Sequence, residues 1–319
     1  MPYNSIISRT NADSTIPIEI ANSIISDIPQ QSAVLPLMTQ LPAMSAKQFK
    51  MPVLDVLPVA YFVSPGASDD TLQKQTTNME WTDVSIYAEE LAVIVPIPES
   101  VIADSGYDIW GEVRPRIAAA FAKAIDAAIL YGTNRPSTWP VGIHPLAVAA
   151  SQTVTTAGVA GEDLYDEIFG DGNLLALVEA DGYIPSAHLA AISMRGKLRG
   201  TRDSIGNPIF RPMGSSGTYE LGDGVPLMFP TNGAFAPATT LMITGDWKKA
   251  VWAPRQDMTI KVFDTGVVQD QTGAIVYNLL QQDMVALRAT MRLGWQVPNP
   301  VNAIQSTAAS RCPWACLLP

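Results

Sequence analysis

Val285-Ala-Leu-Arg-Ala-Thr-Met-Arg-Leu-Gly-Trp-Gln-Val297 alternates without a break: Val285, Leu287, Ala289, Met291, Leu293, Trp295 and Val297 take one side, and Arg288, Thr290, Arg292 and Gln296 the other. Successive side chains of a strand point to opposite faces, so this is a strand with one face in a core and one toward water. It is roughly twice the common five or six residues long, a specific signal for a long, half-exposed sheet. Pro298-Asn-Pro300 ends it, because proline brings no ladder donor.

Far upstream lies a second extended region. Phe49 to Val63 is rich in Val and aromatics, and Pro52 and Pro58 confine it to edge-type pairing. A polar stretch, Ser64 to Asn78, separates it from Met79 to Ile97, which alternates again. The apolar phase of this return changes near Asp83 and near Glu89–Glu90, and each change predicts a bulge or bend. Two long strands around a polar tip make a hairpin that projects from the body.

After the hairpin, Ser105 to Gly132 reads as one long helix or two joined pieces. Ile117, Phe121, Ile125 and Ile129 recur every fourth position, and Gly132 is placed as a C-terminal cap. Pro115 either opens the strong part of this helix or kinks it. Residues 134–161 read as loop and short strand, and 162–179 as a helix with an acidic first turn, weakened by Gly170 and Gly172. Strands are expected over 224–230, 240–246, 250–252 and 258–263. The first 47 residues, punctuated by Pro17, Pro29, Pro36 and Pro42, read as extended chain with a short helix over Glu19 to Ile28. They form either an arm lying across other surfaces or an ordinary edge segment.

Composition narrows the function. The chain has 319 residues, 47% of them hydrophobic and only 16% charged, so apolar surface is hidden by more than the chain's own core; oligomerisation is one route. A formal net charge of −10 argues against a protein whose main task is gripping phosphates. No apolar run reaches the ~18 residues of a membrane span, and Met1 to Thr10 lacks the pattern of a secretion signal, so a soluble protein made in the cytoplasm is expected. The two cysteines, Cys312 and Cys316, sit together in CPWAC, too few for a disulfide framework or a metal site on their own.

The inventory for catalysis is thin. His144 and His188 lack metal spacing, and both read as structural. Gly214-Ser-Ser-Gly217 lacks the spacing of a nucleophile elbow, and Gly196-Lys197 has no phosphate loop before it. The expectation is therefore no enzyme, no catalytic residue, no cofactor and no metal. One charge pattern stands out instead: Arg195, Lys197, Arg199, Arg202 and Arg211 make a basic stretch, while Asp83, Glu89, Glu90, Glu99 and Asp104 make the hairpin's return acidic. Such patches either steer subunits together or are two unrelated solvated faces.

The order of these elements resembles the Hong Kong 97 type major capsid proteins of tailed phages, in particular actinophage members. Ala127-Ala-Ile-Leu-Tyr-Gly-Thr133 followed by Pro140-Val-Gly-Ile143 is similar to the family's spine-helix end and following turn. Tyr183 to Ile192, continuing through Leu198 to Gly206-Asn-Pro-Ile-Phe210, resembles its helix ending in a basic segment and a short strand. Gly224-Val-Pro-Leu-Met-Phe-Pro230, Gly245-Asp-Trp-Lys-Lys-Ala-Val-Trp252 and the ending Val297-Pro-Asn-Pro-Val301 match further family stretches.

The resemblance implies an α+β capsid fold: an N-terminal arm (1–47), an extended loop made by the hairpin (48–98), a peripheral domain (99–160, with a spine helix over 107–131), an axial domain (161–274), a peripheral return strand (275–308) and a C-terminal tail (309–319). It implies hexamers and pentamers tiling an icosahedral head around double-stranded DNA held without sequence-specific binding, in a virion, with scaffolding, portal and decoration proteins as candidate partners. The inter-subunit contact candidates are Lys74 and Trp81 of the hairpin, Glu89 and Glu90 on its return, Arg114 and Arg116 flanking Pro115, and the basic set Arg195, Lys197, Arg199 and Arg202. Some members join subunits by a Lys–Asn isopeptide bond. The matching place here is Asp283, so no such crosslink is expected. The sequence begins near the arm, which implies a separate scaffolding protein or removal of a leader. Alternatives from the same reading are an encapsulin-type nanocompartment shell, a soluble enzyme, and an adhesin or other binding module.

Overall fold

The computed structural model describes residues 32–60, 76–104, 109–156, 162–202, 205–207, 210, 219–221, 223–270 and 272–319. The expected helix over Glu19 to Ile28, residues 64–75 of the polar hairpin tip with Lys74 among them, and Arg211 lie outside them. In chain order, a short β1 (Thr39–Gln40) is followed by β2 (Gln48–Val56), β3 (Glu80–Tyr87) and β4 (Glu89–Pro98). Helices α1 (Glu99–Asp104) and α2 (Ile109–Tyr131) come next.

β2 and β3 pair antiparallel as the expected hairpin, from Gln48↔Tyr87 to Val56↔Glu80. The irregularity expected near Asp83 falls slightly further along the ribbon: the register runs evenly through Pro52↔Asp83 and shifts between Leu54 and Val56, opposite Trp81 and Glu80. The change near Glu89 is a change of sheet. Ala88, buried and donating its amide to Lys47 O at 2.9 Å, separates β3 from β4, and β4 leaves the hairpin to join the main sheet.

α2 is continuous across Pro115, so the proline lies inside the helix rather than opening it. Its inward face is Ile117, Phe121, Ile125 and Ile129, all buried. Gly132 ends it at φ +69, where an added Cβ would sit 2.2 Å from Val141 O. Only glycine fits that turn.

The next region holds α3 (Ile143–Ala149), not foreseen as a helix, and β5 (Thr153–Thr155). The single helix expected over 162–179 is two, α4 (Glu162–Phe169) and α5 (Leu174–Ala180). The chain breaks at Gly170–Asn173, where Gly172 takes φ +72 and the Asn173 side chain caps Asp166 O at 2.8 Å. The 183–192 stretch contributes β6 (Ala187–Ala190) rather than helix, and the helix follows as α6 (Met194–Gly200). β7 (Tyr219–Glu220), β8 (Pro226–Met228) and β9 (Met242–Gly245) lead to β10 (Val251–Phe263), which merges two expected strands through bulges around Gln256. After a small hairpin, β11 (Val267–Gln269) and β12 (Ile275–Asn278), comes β13 (Met284–Gln296), the opening stretch of the sequence analysis displaced by one residue. β14 (Trp314–Leu318) closes the chain.

Two sheets share one continuous apolar core. The four-stranded sheet runs β1-β10-β13-β4, with β13 antiparallel to both long neighbours. The six-stranded sheet runs β5-β14-β9-β6-β8-β7. Residues 309–319, set apart from the sequence as a tail, thus supply an interior strand. β14 pairs parallel with β5 and antiparallel with β9, and Trp314, Ala315, Cys316 and Leu317 are fully buried. Both cysteines are free and buried, and burial pushes the Cys312 thiol up to about 12 and Cys316 up as well. At neutral pH both stay protonated and inert.

Candidate assembly surfaces

The hairpin is fixed at its root by its own chain. Trp139 Nε1 donates to Tyr87 O at 3.1 Å, Gln296 Nε2 to Ser85 O at 3.2 Å, and Val301 N to Leu54 O at 3.0 Å. Gly294 makes room for this seating: an added Cβ would lie 2.5 Å from Tyr87 O and 2.6 Å from Ile86 Cγ2. A glycine inside a strand marks such a close approach. Beyond Leu54 the hairpin carries large apolar side chains into solvent. Trp81, opposite Leu54, is 61% exposed, Val59 69% and Met79 40%. A two-stranded ribbon with apolar groups on open faces does not stabilise itself in water.

The acidic residues of the hairpin return are occupied within the chain. Glu90 Oε2 receives Arg292 at 2.7 and 3.1 Å, Glu89 receives the Thr138 hydroxyl at 2.9 Å and faces Lys47 at 3.9 Å, and Asp83 faces Lys50 at 4.0 Å. These pairs are exposed and each contributes little to stability. They give Asp83, Glu89 and Glu90 basic neighbours within their own chain. Glu89 and Glu90 also edge a cleft of about 280 Å³ between the C-terminal end of α2 and the sheet, floored by Leu91, Ala128 and Leu293.

The basic set does come together. Arg195, Lys197 and Arg199 project from α6 and Arg202 follows it, all exposed, while Met194 and Leu198 hold the helix to the core. Arg199 caps Arg195 O at 3.3 Å, and Arg202 reaches Gly206 O at 3.0 Å. On α2, Arg116 is exposed and Arg114 half-buried.

Three polar constellations escaped sequence reading. Asp126 is fully buried on α2 and accepts from Ser32 Oγ at 2.5 Å, Ala33 N at 2.8 Å and Asn232 Nδ2 at 2.6 Å. Its only signal was a lone acid one residue after Ile125 in an alanine-rich helix. Burial pushes its carboxyl above the ordinary value, the donors notwithstanding. His188, on β6, meets Thr244 Oγ1 at 2.6 Å and Asp223 Oδ2 at 2.9 Å. Arg311, 3% exposed, donates to the carbonyls of Asn299, Gln305 and Ser306 and to Asn299 Oδ1, so that one side chain shapes the 299–311 loop. Among the described residues no group of three His, Cys, Asp or Glu side chains is arranged to hold a metal, and no helix is long and apolar enough to cross a membrane.

The described residues thus form an α+β chain with exposed apolar side chains on its ribbon and exposed basic ones on α6. The phage capsid family model matches residues 12–307, and the chain belongs to that family. It is 26% identical over 301 residues to the major capsid protein of Staphylococcus phage 80alpha, covering 93% of this chain and 86% of that one. A solved structure from Microbacterium phage Oxtober96 superposes with a TM-score of 0.77 at 32% identity, covering 91% of both chains. One from Mycobacterium phage Adephagia gives 0.76 at 27% identity, covering 99% of this chain and 98% of that one. The fold is thus the mixed α+β capsid fold of the Hong Kong 97 type, and the chain is a structural component of the virion head, a homo-oligomer rather than an enzyme.

Proposed function

We propose that this major capsid protein closes its shell by laying the β2–β3 ribbon of one copy on the next, forming hexamers and pentamers of an icosahedral head around double-stranded DNA. In this reading residues 1–47 are the arm, 48–98 the extended loop, 99–160 and 275–308 the peripheral domain with α2 as its spine, and 161–274 the axial domain, which β14 completes from residues 309–319. The observation that carries it is Trp81, 61% exposed on a hairpin whose root its own chain holds rigidly. An exposed tryptophan that becomes buried against a partner contributes a large share of contact energy. Trp81 and Lys74 meet the neighbouring copy, and Arg195, Lys197, Arg199 and Arg202 meet an acidic surface on another subunit. Arg114, Arg116, Glu89 and Glu90 lie along the same contacts. Scaffolding, portal and decoration proteins bind the assembled lattice, and the DNA is contained without base recognition.

Electron microscopy of the purified chain and of Trp81→Ala tests this. Wild-type protein is expected to form hollow polyhedra or capsomer rings, and Trp81→Ala to give folded but unassembled subunits. Wild-type-like shells from Trp81→Ala would remove the ribbon from its proposed role.

A further inference from the structure

We infer that Asp126 is a shared clasp: one carboxylate on α2 couples the place where the N-terminal segment enters the fold to the loop 232–236, so that neither leaves its seat without loosening the other. The two segments are 94 and 106 residues from Asp126 along the chain, on opposite sides. Ser32 Oγ donates to Oδ1, while Ala33 N and Asn232 Nδ2 share Oδ2. No solvent reaches the carboxylate, which is 0% exposed, so a donor that departs cannot be replaced by water without opening the site.

Each segment is built around this acceptor. Ser32 Oγ also receives the amides of Val34 at 3.3 Å and Leu35 at 3.0 Å, so the hydroxyl that binds Asp126 shapes the first turn. That turn sets Val34, Leu35 and Met38 into the core shared with Ile125 and Ile129. On the other side Asn232 Oδ1 receives Ala234 N at 3.1 Å, and Ala236 N donates to Tyr131 Oη at 3.1 Å. The loop therefore lies along α2 from Asp126 to Tyr131. The charged group facing it from the helix is Lys123, whose Nζ lies 3.5 Å from where a Cβ on Gly233 would stand.

The inference rests on reading residues 1–47 as the arm only for its consequence: movement of the arm in assembly would be felt at 232–236. The coupling itself is a property of one chain. Amide hydrogen exchange on the purified, unassembled full-length protein tests it by reading each segment after altering the other. Asn232→Ala is expected to speed exchange at Ala33 by about tenfold, and Ser32→Ala to do the same at Ala234 and Ala236, with β13 amides unchanged. The double variant is expected to give less than the product of the two effects, the mark of a shared partner. If each substitution loosens only its own segment, the clasp is refuted, and both substitutions are mild enough to leave the fold intact even where Asp126→Asn does not. Failure of the arm reading looks different: exchange at 32–40 would be the same in free subunits and in shells, with the cross-effects still present.

Discussion

His188 lies at the centre of the six-stranded sheet with both ring nitrogens engaged, Nδ1 by the Thr244 hydroxyl and Nε2 by Asp223. A neutral ring protonated on Nε2 satisfies both partners, accepting from the hydroxyl and donating to the carboxylate. Burial works to raise the Asp223 carboxyl, but the bond from His188 and the amide of Val225 outweigh it and hold the group below its ordinary value. A depressed folded value means that Asp223 contributes stability above the unfolded carboxylate range, near pH 4, and that this is lost as pH falls through the folded value. His188→Ala strands Thr244 and Asp223, at a cost of about 2–3 kcal/mol at neutral pH. Urea midpoints of the unassembled subunit should show it: the gap between wild type and variant is constant at higher pH and narrows as the pH falls below about 4. A gap that stays constant as the pH falls further would mean the His188–Asp223 hydrogen bond carries none of the loss.

Among elements, β13 and β14 respond differently to sequence reading for a physical reason. β13 has one face in the core and one toward solvent, so its alternation wrote the strand into the sequence within a residue of its observed limits. Trp314-Ala-Cys-Leu-Leu318 is buried on both faces, and a short all-apolar run carries no period, so nothing distinguished it from a loose end. The same logic separates the two charge patches. The basic set falls within one short helix and its exit, where nearness in sequence is nearness in space. Of the acidic residues, Glu89, Asp83 and Glu90 found partners at Lys47, Lys50 and Arg292, across strand pairings that no local pattern reveals. Removing residues 312–319 is therefore expected to abolish soluble folded protein, as read by circular dichroism and gel filtration, because it opens the sheet between β5 and β9. Gly294→Val is milder and more selective. Its side chain enters the space held by Ile86 and Tyr87, so the sheet survives while the hairpin root is displaced. Intact cooperative unfolding combined with loss of assembly is the expected outcome; assembly at wild-type levels would show that the root need not be seated.

At the scale of the shell, the question is whether contacts between copies become covalent. The place just before the final strand, expected from the family resemblance to bear on such a crosslink, holds Asp283 here. Asp283 stands at φ +46, and its carbonyl receives the amide of Glu99 at 2.9 Å, so the turn that joins β12 to β13 is tied to the start of α1. A lysine amine attacking an asparagine amide expels ammonia; attack on an aspartate must expel hydroxide or oxide from an ionised carboxylate, a far poorer electrophile. Under the proposed contacts, the shell then depends on burial of the ribbon and on charge contacts at the basic helix. Two outcomes follow together. Denaturing electrophoresis of mature particles should give a single band at the mass of one subunit with no ladder. Reversing the charge of Arg195 and Arg199 to Glu should weaken assembly most at low ionic strength, where surface electrostatics is least screened, with the difference from wild type shrinking as salt rises. A ladder would reinstate a crosslink at another residue pair, and a defect indifferent to salt would assign α6 a packing role instead of an electrostatic one.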